Sequence, residues 1–443
     1  MSFIKALGDS TTMTIFRKIK HYIKDKKVGS WIFFLLLVYV VLVVKIITLR
    51  NIDNNYLLGI YSFGIALYIL SRFALAHFYE PDHMDIDLDN APSIAFGVPS
   101  KNEGAEIRKT ILTIAKSDYP KDKLEIIAVN DGSTDNTLAE MQIAKREAAK
   151  LGVKVTVVDW PMNRGKREGM VECVKRTKSE FVVFIDSDSF VDPTAARIMM
   201  KYFKNEPRVA AVAGHAFVYN SDENFLTKMQ AVRYYVAFKA YKAAEALFGA
   251  VTCCSGCCAA YRREYLLQVI DEFQNQKFLG VRCTYGDDRS LTNLLLKKGY
   301  HAVYAADAIS YTIVPDTLKK FMKQQLRWKK SWFRESCIAS TFMWRKNPIV
   351  SISFYLGFIL PLFAPVVMVR ALFWHPIITD TLPYFYLLGL ILMAVLYAFY
   401  YRIHINDGKW LYGVLFGTFY AIVLVWQLPW AIMTIRDSRW GTR

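Results

Sequence analysis

Residues 31–49 form a nearly uninterrupted apolar run broken by Lys45, and residues 56–78 form a second, with Arg72 and His77 near its end. Each run matches the ~20 residues that a helix needs to cross a bilayer. Joined by a short turn they make a hairpin, which returns the chain to the side it left. Further apolar runs at 349–369, 382–401 and 410–434 follow, the last interrupted by Pro429. The polar centre of the chain therefore has to fold outside the hydrocarbon, on one side of it.

Composition agrees with that division. A content of 53% hydrophobic residues is too high for a soluble enzyme, and 21% charged residues is too high for a bundle of spans alone. The chain holds 56 Lys and Arg against 39 Asp and Glu, a net charge of +17. Much of the excess sits beside apolar segments, at 17–27, 319–330 and 436–443. Anionic lipid and phosphorylated substrates therefore outrank nucleic acid as partners.

Ile15, Phe16, Ile19, Tyr22 and Ile23 recur at helical spacing with Arg17, Lys18, Lys20 and Lys24 on other faces, the pattern of an interfacial helix. Its positive charge places the N-terminus in the cytoplasm, and no small-residue cleavage site marks a signal peptide. If all three C-terminal runs crossed, the basic tail Arg436, Arg439 and Arg443 would lie outside, against the charge rule. Two crossings plus a re-entrant or interfacial segment keep it inside, for four spans in all. The expected organisation is a cytoplasmic N-terminal segment (1–29), a transmembrane hairpin (30–80), a cytosolic domain (81–315), interfacial helices (316–347), C-terminal spans with a re-entrant segment (348–434) and a cytoplasmic tail (435–443).

Between the membrane regions, short apolar stretches at 93–98, 124–129, 154–158 and 181–185 alternate with helical patterns such as Ile107, Ile111 and Ile114. Thr137 and Glu140 have the spacing of a capping box. The alternation predicts an α/β sheet of parallel strands, whose ligands bind beyond the carboxyl ends of the strands. Asp131 and Asp186 fall there.

That position gives the motifs their chemistry. A nucleotide sugar carries a diphosphate whose charge grows as the sugar leaves, and Mg2+ or Mn2+ on the carboxylates of Asp186-Ser187-Asp188 would neutralise it. A polar strand-to-loop turn is the plainer alternative. Asp131 suits a hydrogen bond to base or ribose, or an Asx-turn capping the next helix. Asn163-Arg164-Gly165-Lys166-Arg167 opens a helix, with cations facing the anion at the strand ends or simply solvated. In Gly286-Asp287-Asp288-Arg289, one carboxylate suits a general base while Arg289 keeps the other ionised; a helix N-terminus with acidic residues is compatible with both. Gln324-Gln325-Leu326-Arg327-Trp328, just before a span, would set Arg327 near a diphosphate and Trp328 under a sugar ring, or Trp328 is an ordinary belt residue. The cluster from Cys253 to Cys258 lacks a second CxxC or paired His, so the seven cysteines are expected to be free thiols.

These strings occur together in a recognised order. Asp131-Gly132-Ser133, 163–167, 186–188, 255–263, 286–293, 324–328 and 440–443 match the DGS-type loop, NxGKR, DxD, SGxxxxYRR, GDDRxLTN, QxxRW and WGTR pattern. The chain resembles the membrane-embedded processive family-2 glycosyltransferases, and among them most the hyaluronan synthases, over nearly its whole length. The resemblance implies an α/β GT-A-like domain inserted between transmembrane helices of an integral protein of the plasma (inner) membrane. It implies inverting, metal-dependent transfer from UDP-sugars, with the growing polysaccharide threaded through the spans. Asp131, Lys166, Arg167, Asp186, Arg327, Trp440 and Arg443 would contact the nucleotide sugar, and Asp186 and Asp188 the metal. Asp288, beside Asp287, would be the base. Gln324, Trp328, Cys283, Ser255 and Gly256 would frame the acceptor.

Phe278-Leu279-Gly280 with Cys283-Thr284-Tyr285 and the GDDRSLTN string resemble the hyaluronan branch, which implies UDP-N-acetylglucosamine and UDP-glucuronate as donors. Chitin-oligosaccharide and type-3-capsule-like synthases are the neighbouring alternatives. A non-processive lipid-phosphate transferase and an inactive sensor or channel subunit stand further off. The family usually has Pro after Ser-Gly, where this chain has Cys257-Cys258; those positions are expected near the acceptor, so the departure leaves acceptor identity and product length open. Neither the oligomeric state nor the preferred metal is indicated.

Overall fold

The structure is a computed structural model, and it describes residues 28–50, 56–82, 87–204 and 206–438. The expected interfacial helix at 15–23 and the tail residues Trp440 and Arg443 lie outside the described residues. Helices α1 (Val28–Arg50) and α2 (Tyr56–His77) form the first apolar pair.

The domain that follows is built on an eight-stranded sheet. Its elements are β1 (Ile94–Ser100), α3 (Glu106–Ala115), β2 (Leu124–Asp131), α4 (Thr137–Lys150), β3 (Lys154–Trp160), α5 (Lys166–Arg176), β4 (Phe181–Phe184), β5 (Ser189–Val191), α6 (Ala195–Lys204), β6 (Val209–Val218), α7 (Phe225–Val236), β7 (Ala259–Arg262), α8 (Asp287–Lys297) and β8 (His301–Thr312). The strand order is β3-β2-β1-β4-β7-β6-β8-β5. The sheet is mixed, which corrects the expectation of parallel strands throughout. β7 runs antiparallel to both β4 and β6, and β5 antiparallel to β8. β7 thereby brings its starting end, not its finish, to the edge where β1, β2 and β4 end.

Alternation along β1 explains the layers. Ile94, Phe96 and Val98 join Ile107, Ile111, Met141, Ala144 and Met199 under α3, α4 and α6. On the opposite face Ala95, Ile127 and Val129 pack with Met170 of α5 and Leu291 and Leu295 of α8. That second core continues without a break into Phe34, Phe73 and Tyr400 of the apolar helices, so the domain is seated on them. The Thr137/Glu140 capping box does not form. Asp135 instead accepts from the Thr137 amide at 3.0 Å, and Thr137 Oγ1 is engaged by the amides of Glu103 and Gly104 at 2.8 and 3.0 Å.

After the sheet come α9 (Leu318–Ser340), α10 (Pro348–Val369), α11 (Tyr384–His404) and α12 (Trp410–Ile422). Among the described residues four helices are long and apolar enough to cross a membrane: Val28–Arg50, Leu58–His77, Pro348–Thr379 and Tyr384–His404. Trp410–Ile422 and Leu424–Met433 form a further pair bent by 42°. The bend falls ahead of Pro429, to which the sequence pattern had assigned the interruption. Pro429 lies in the first turn of the helix Gln427–Met433, where its missing N–H has no intrahelical partner to lose.

Candidate active site

Three strand ends and two helix starts converge on one cavity of about 1540 Å³. Asp131, Lys166, Asp186, Asp188, Ser255, Gly256, Asp287, Asp288, Gln324, Arg327 and Trp328 all line it. Cys283 and Arg167 do not, and both are buried in the protein.

Asp131 at the end of β2 accepts from the amides of Arg164 and Gly165 at 2.6 and 2.9 Å. Its carboxylate fixes the loop that opens α5; the local turn after β2 is made by Asn130, which accepts from the Ser133 amide at 3.3 Å. Burial raises the Asp131 carboxyl, and the two amides act against that rise. Lys166 forms an ion pair with Asp186 across the strand ends. Burial disfavours the Lys166 ammonium, but the Asp186 charge more than offsets it and holds the group above its ordinary range. Burial and the adjacent Asp186 carboxylate push Asp188 well up, against the pull of the Lys166 ammonium.

Those two carboxylates supply hard oxygen donors on one wall of the cavity. Among the described residues no group of three or more His, Cys, Asp or Glu side chains gathers to hold a metal. Two carboxylates with the remaining positions left to phosphate oxygens and water suit Mg2+ or Mn2+. The residues present therefore fit a divalent cation.

Gly256 joins the loop before β7 to the one after β4. Its carbonyl accepts from the Asp186 amide at 2.8 Å, and a Cβ at 256 would stand 2.8 Å from the Asp186 carboxylate. The loop before β7 is pinned by Lys242, which donates to the Cys253 carbonyl at 2.7 Å and to Ser255 Oγ at 2.6 Å. Lys242 closes a π-helical turn at Ala237–Lys242, a distortion frequent at functional sites. Of the two cysteines that follow Ser255-Gly256, Cys257 lines the cavity, whereas Cys258 is buried with its Sγ 3.6 Å from Met199 Sδ.

The acidic pair divides its work. Gly286, at φ +79°, turns the chain into α8 through a left-handed conformation that glycine adopts without strain. Asp287 is buried and pairs with Arg167, Nε to Oδ1 at 2.9 Å; Arg167 also donates to the Phe273 carbonyl at 2.8 Å. This differs from two expectations, since Arg167 does not line the cavity and Arg167 rather than Arg289 is the ion-pair partner of Asp287. Asp288 is half-buried on the cavity wall, with Cys253 Sγ 3.5 Å from Oδ2 and the Arg289 amide 3.1 Å from Oδ1. Cys283 lies just behind this wall, where its amide donates to the Gln276 carbonyl at 3.0 Å. Its burial corrects the expectation that it touches the acceptor.

Helix α9 roofs the site. Gln324 Oε1 is buried without a hydrogen-bond partner, and burial pulls Arg327 below its ordinary range. The Arg233 guanidinium lies 5.0 Å from the Trp328 ring centroid, and the Tyr234 ring 6.2 Å away. Next to α9 the chain docks its last described residues. Tyr285 Oη donates to the Asp437 carbonyl at 3.1 Å, Lys330 Nζ lies 3.5 Å from Asp437 Oδ2, and Thr284 Oγ1 bonds the Ser438 carbonyl. The described chain therefore ends, at Ser438, on the wall of the cavity.

From the carboxylates the cavity runs on between the apolar helices, past Tyr68, Gly357, Tyr397 and Tyr386. Sequence reasoning noted Lys45 and Arg72 only as interruptions in apolar runs, yet both line this continuation. A charged residue inside a candidate span was the available signal.

Residues 91–331 match the family described as glycosyltransferase-like family 2. A hyaluronan synthase of Streptococcus pyogenes serotype M3 is 31% identical over 388 residues, which cover 87% of this chain and 90% of that one. An N-acetylglucosaminyltransferase of Rhizobium meliloti is 32% identical over 354 residues, covering 80% and 82%. The solved structure of a mannosyltransferase from Pyrobaculum calidifontis, in complex with GDP-mannose and Mn2+, superposes with a TM-score of 0.57 at 21% identity, covering 86% of this chain and 99% of that one. That likeness establishes a GT-A-like fold.

Proposed function

Because the chain belongs to glycosyltransferase family 2, we propose that it is a processive, inverting hexosyltransferase that polymerises UDP-sugars and exports the polysaccharide between its own helices. Within that reading it is a hyaluronan synthase using UDP-N-acetylglucosamine and UDP-glucuronate. One observation carries it: the cavity that holds the acidic residues continues between the apolar helices. A transferase releasing a short product needs no such continuation.

In this reading Asp131 and Lys166 shape the donor end. Asp186 and Asp188 hold Mg2+ or Mn2+, which when bound neutralises the diphosphate. Arg327, drawn into the cavity roof by α9, faces the same phosphates. Asp288 takes the proton from the acceptor hydroxyl, and the buried Arg167–Asp287 pair fixes the helix start that aims it. Trp328 offers its ring to the acceptor sugar, while Gln324, Ser255 and Gly256 border it. The tail with Trp440 and Arg443 closes over the nucleotide. The protein is multi-pass in the plasma (inner) membrane with its catalytic domain cytoplasmic, and the bent Trp410–Met433 region does not complete a crossing.

The similarity to an N-acetylglucosaminyltransferase favours a second reading, a chitin-oligosaccharide-type synthase. Purified protein incubated with Mg2+ or Mn2+ and labelled UDP-sugars, singly and in pairs, separates the two. High-molecular-weight product from the N-acetylglucosamine and glucuronate pair alone is expected. Polymer from a single donor overturns the hyaluronan assignment.

A further inference from the structure

Lys45 of α1 and Arg72 of α2 are cations inside the passage between the apolar helices, and among the described residues neither has a counter-ion. Lys45 is 2% exposed; its ammonium donates to Ser62 Oγ at 2.7 Å and lies 6.0 Å from the Tyr386 ring centroid. Arg72 is 5% exposed, lies 5.4 Å from the Tyr68 ring centroid, and its Nε is buried without a hydrogen-bond partner. Among the described residues no carboxylate forms an ion pair with either. Glu245, an acidic residue on the same stretch of wall, is engaged by the Thr252 amide and hydroxyl at 2.9 and 3.1 Å.

Ionised side chains within membrane helices are costly and are kept facing an aqueous cavity or a partner. Each cation here spends at most part of its donor capacity on the protein: Ser62 takes one of the three ammonium donors, and a guanidinium offers five. Ser62, Ile65, Ile69 and Arg72 lie on the cavity-facing side of α2. The level of Lys45, at Ser62, is therefore about 15 Å along the helix from that of Arg72. Arg72 is the nearer to the catalytic domain. Space for the Lys45 head comes from Gly389 of α11, where a Cβ would stand 2.8 Å from Nζ.

We propose that Arg72 and Lys45 are two successive carboxylate-binding positions in the passage, selecting a glycan that carries uronate groups; this rests on the synthase reading for the direction in which the chain travels. Arg72 receives a carboxylate leaving the acceptor end, and Lys45 receives it one stage further out. A neutral glycan has nothing to offer either position.

The test is calorimetric titration of the full detergent-solubilised chain with a hexasaccharide of alternating N-acetylglucosamine and glucuronate, and with chitohexaose. Wild type is expected to bind the uronate hexamer about tenfold more tightly at low salt. The K45Q/R72Q variant loses that preference, and K45R/R72K keeps most of it. Gly389→Ala displaces only the end of a flexible side chain, so it reduces the preference at an unchanged melting temperature. Equal affinity of wild type for the two hexamers overturns the proposal, as does a preference that persists in both K45Q/R72Q and G389A. Polymer made from one donor alone would instead remove the hyaluronan assignment, and the hexamer comparison would still report on the two cations.

Discussion

Arg167 and Asp287, 120 residues apart in sequence, form a buried ion pair at 2.9 Å that joins the first turn of α5 to the first turn of α8. One helix start follows the loop held by Asp131, and the other carries Asp288. The pair therefore locks the loop held by Asp131 to the helix start that carries Asp288.

Breaking it strands a charge. Arg167→Met is expected to cost about 3–5 kcal/mol, read as a lower unfolding midpoint of the purified protein. Arg167→Met with Asp287→Leu recovers much of that loss but not the activity. If the single and double variants melt alike, the two residues are not coupled.

Asp288→Asn keeps size and hydrogen bonding while removing the proton acceptor. Transfer is expected to slow by roughly 10²–10⁴-fold, with UDP affinity unchanged in a binding titration. Undiminished polymerisation would exclude Asp288 as the base.

Two glycines separate packing from strain. Gly256→Ala presses a methyl against the Asp186 carboxylate, so activity should fall by up to about a hundredfold while the melting temperature holds. Gly286→Ala adds a side chain at φ +79° and crowds Ser331 and Arg334, so both stability and activity should fall. Circular dichroism melts and initial rates, taken on the same preparations, distinguish the cases.

His215 of β6 is buried with Nδ1 2.5 Å from Tyr304 Oη, and burial, assisted by Lys239 and Lys242, pushes its pKa down to about 3. The unfolded chain takes up this proton near pH 6.5 and the folded chain does not. Stability contributed here is present above pH 6.5 and declines as pH falls toward 3, by roughly 1–2 kcal/mol at pH 5. His215→Gln should flatten that part of the stability profile. An unchanged slope would assign the acid sensitivity to other groups.

The strand ends and the apolar runs were legible in the sequence because each depends on local pattern. Asp131 and Asp186 sit where an apolar strand stops, and the helix starting at Asp287 follows a glycine. The pairing of Arg167 with Asp287 was not legible: Arg289 was the nearest cation in sequence, and only the tertiary fold supplies a nearer one in space. The antiparallel β7 was missed for the same reason, since Ala259–Arg262 is four residues long and its direction is set by its neighbours. Cys283 was placed at the acceptor by its neighbours in the motif, but alternation along an extended segment turns it inward while Thr284 reaches the cavity.

The reversed direction of β7 separates two kinds of variation. Asp186 and Asp188 follow the finish of β4, whereas Ser255, Gly256 and Cys257 precede the start of β7, and one amide-to-carbonyl hydrogen bond joins the two loops. Replacements in the 253–257 loop that preserve that bond can reshape one wall of the cavity without moving Asp186 and Asp188 on the other. The wall that carries Cys257 is thus free to vary while the strand-end carboxylates stay in place.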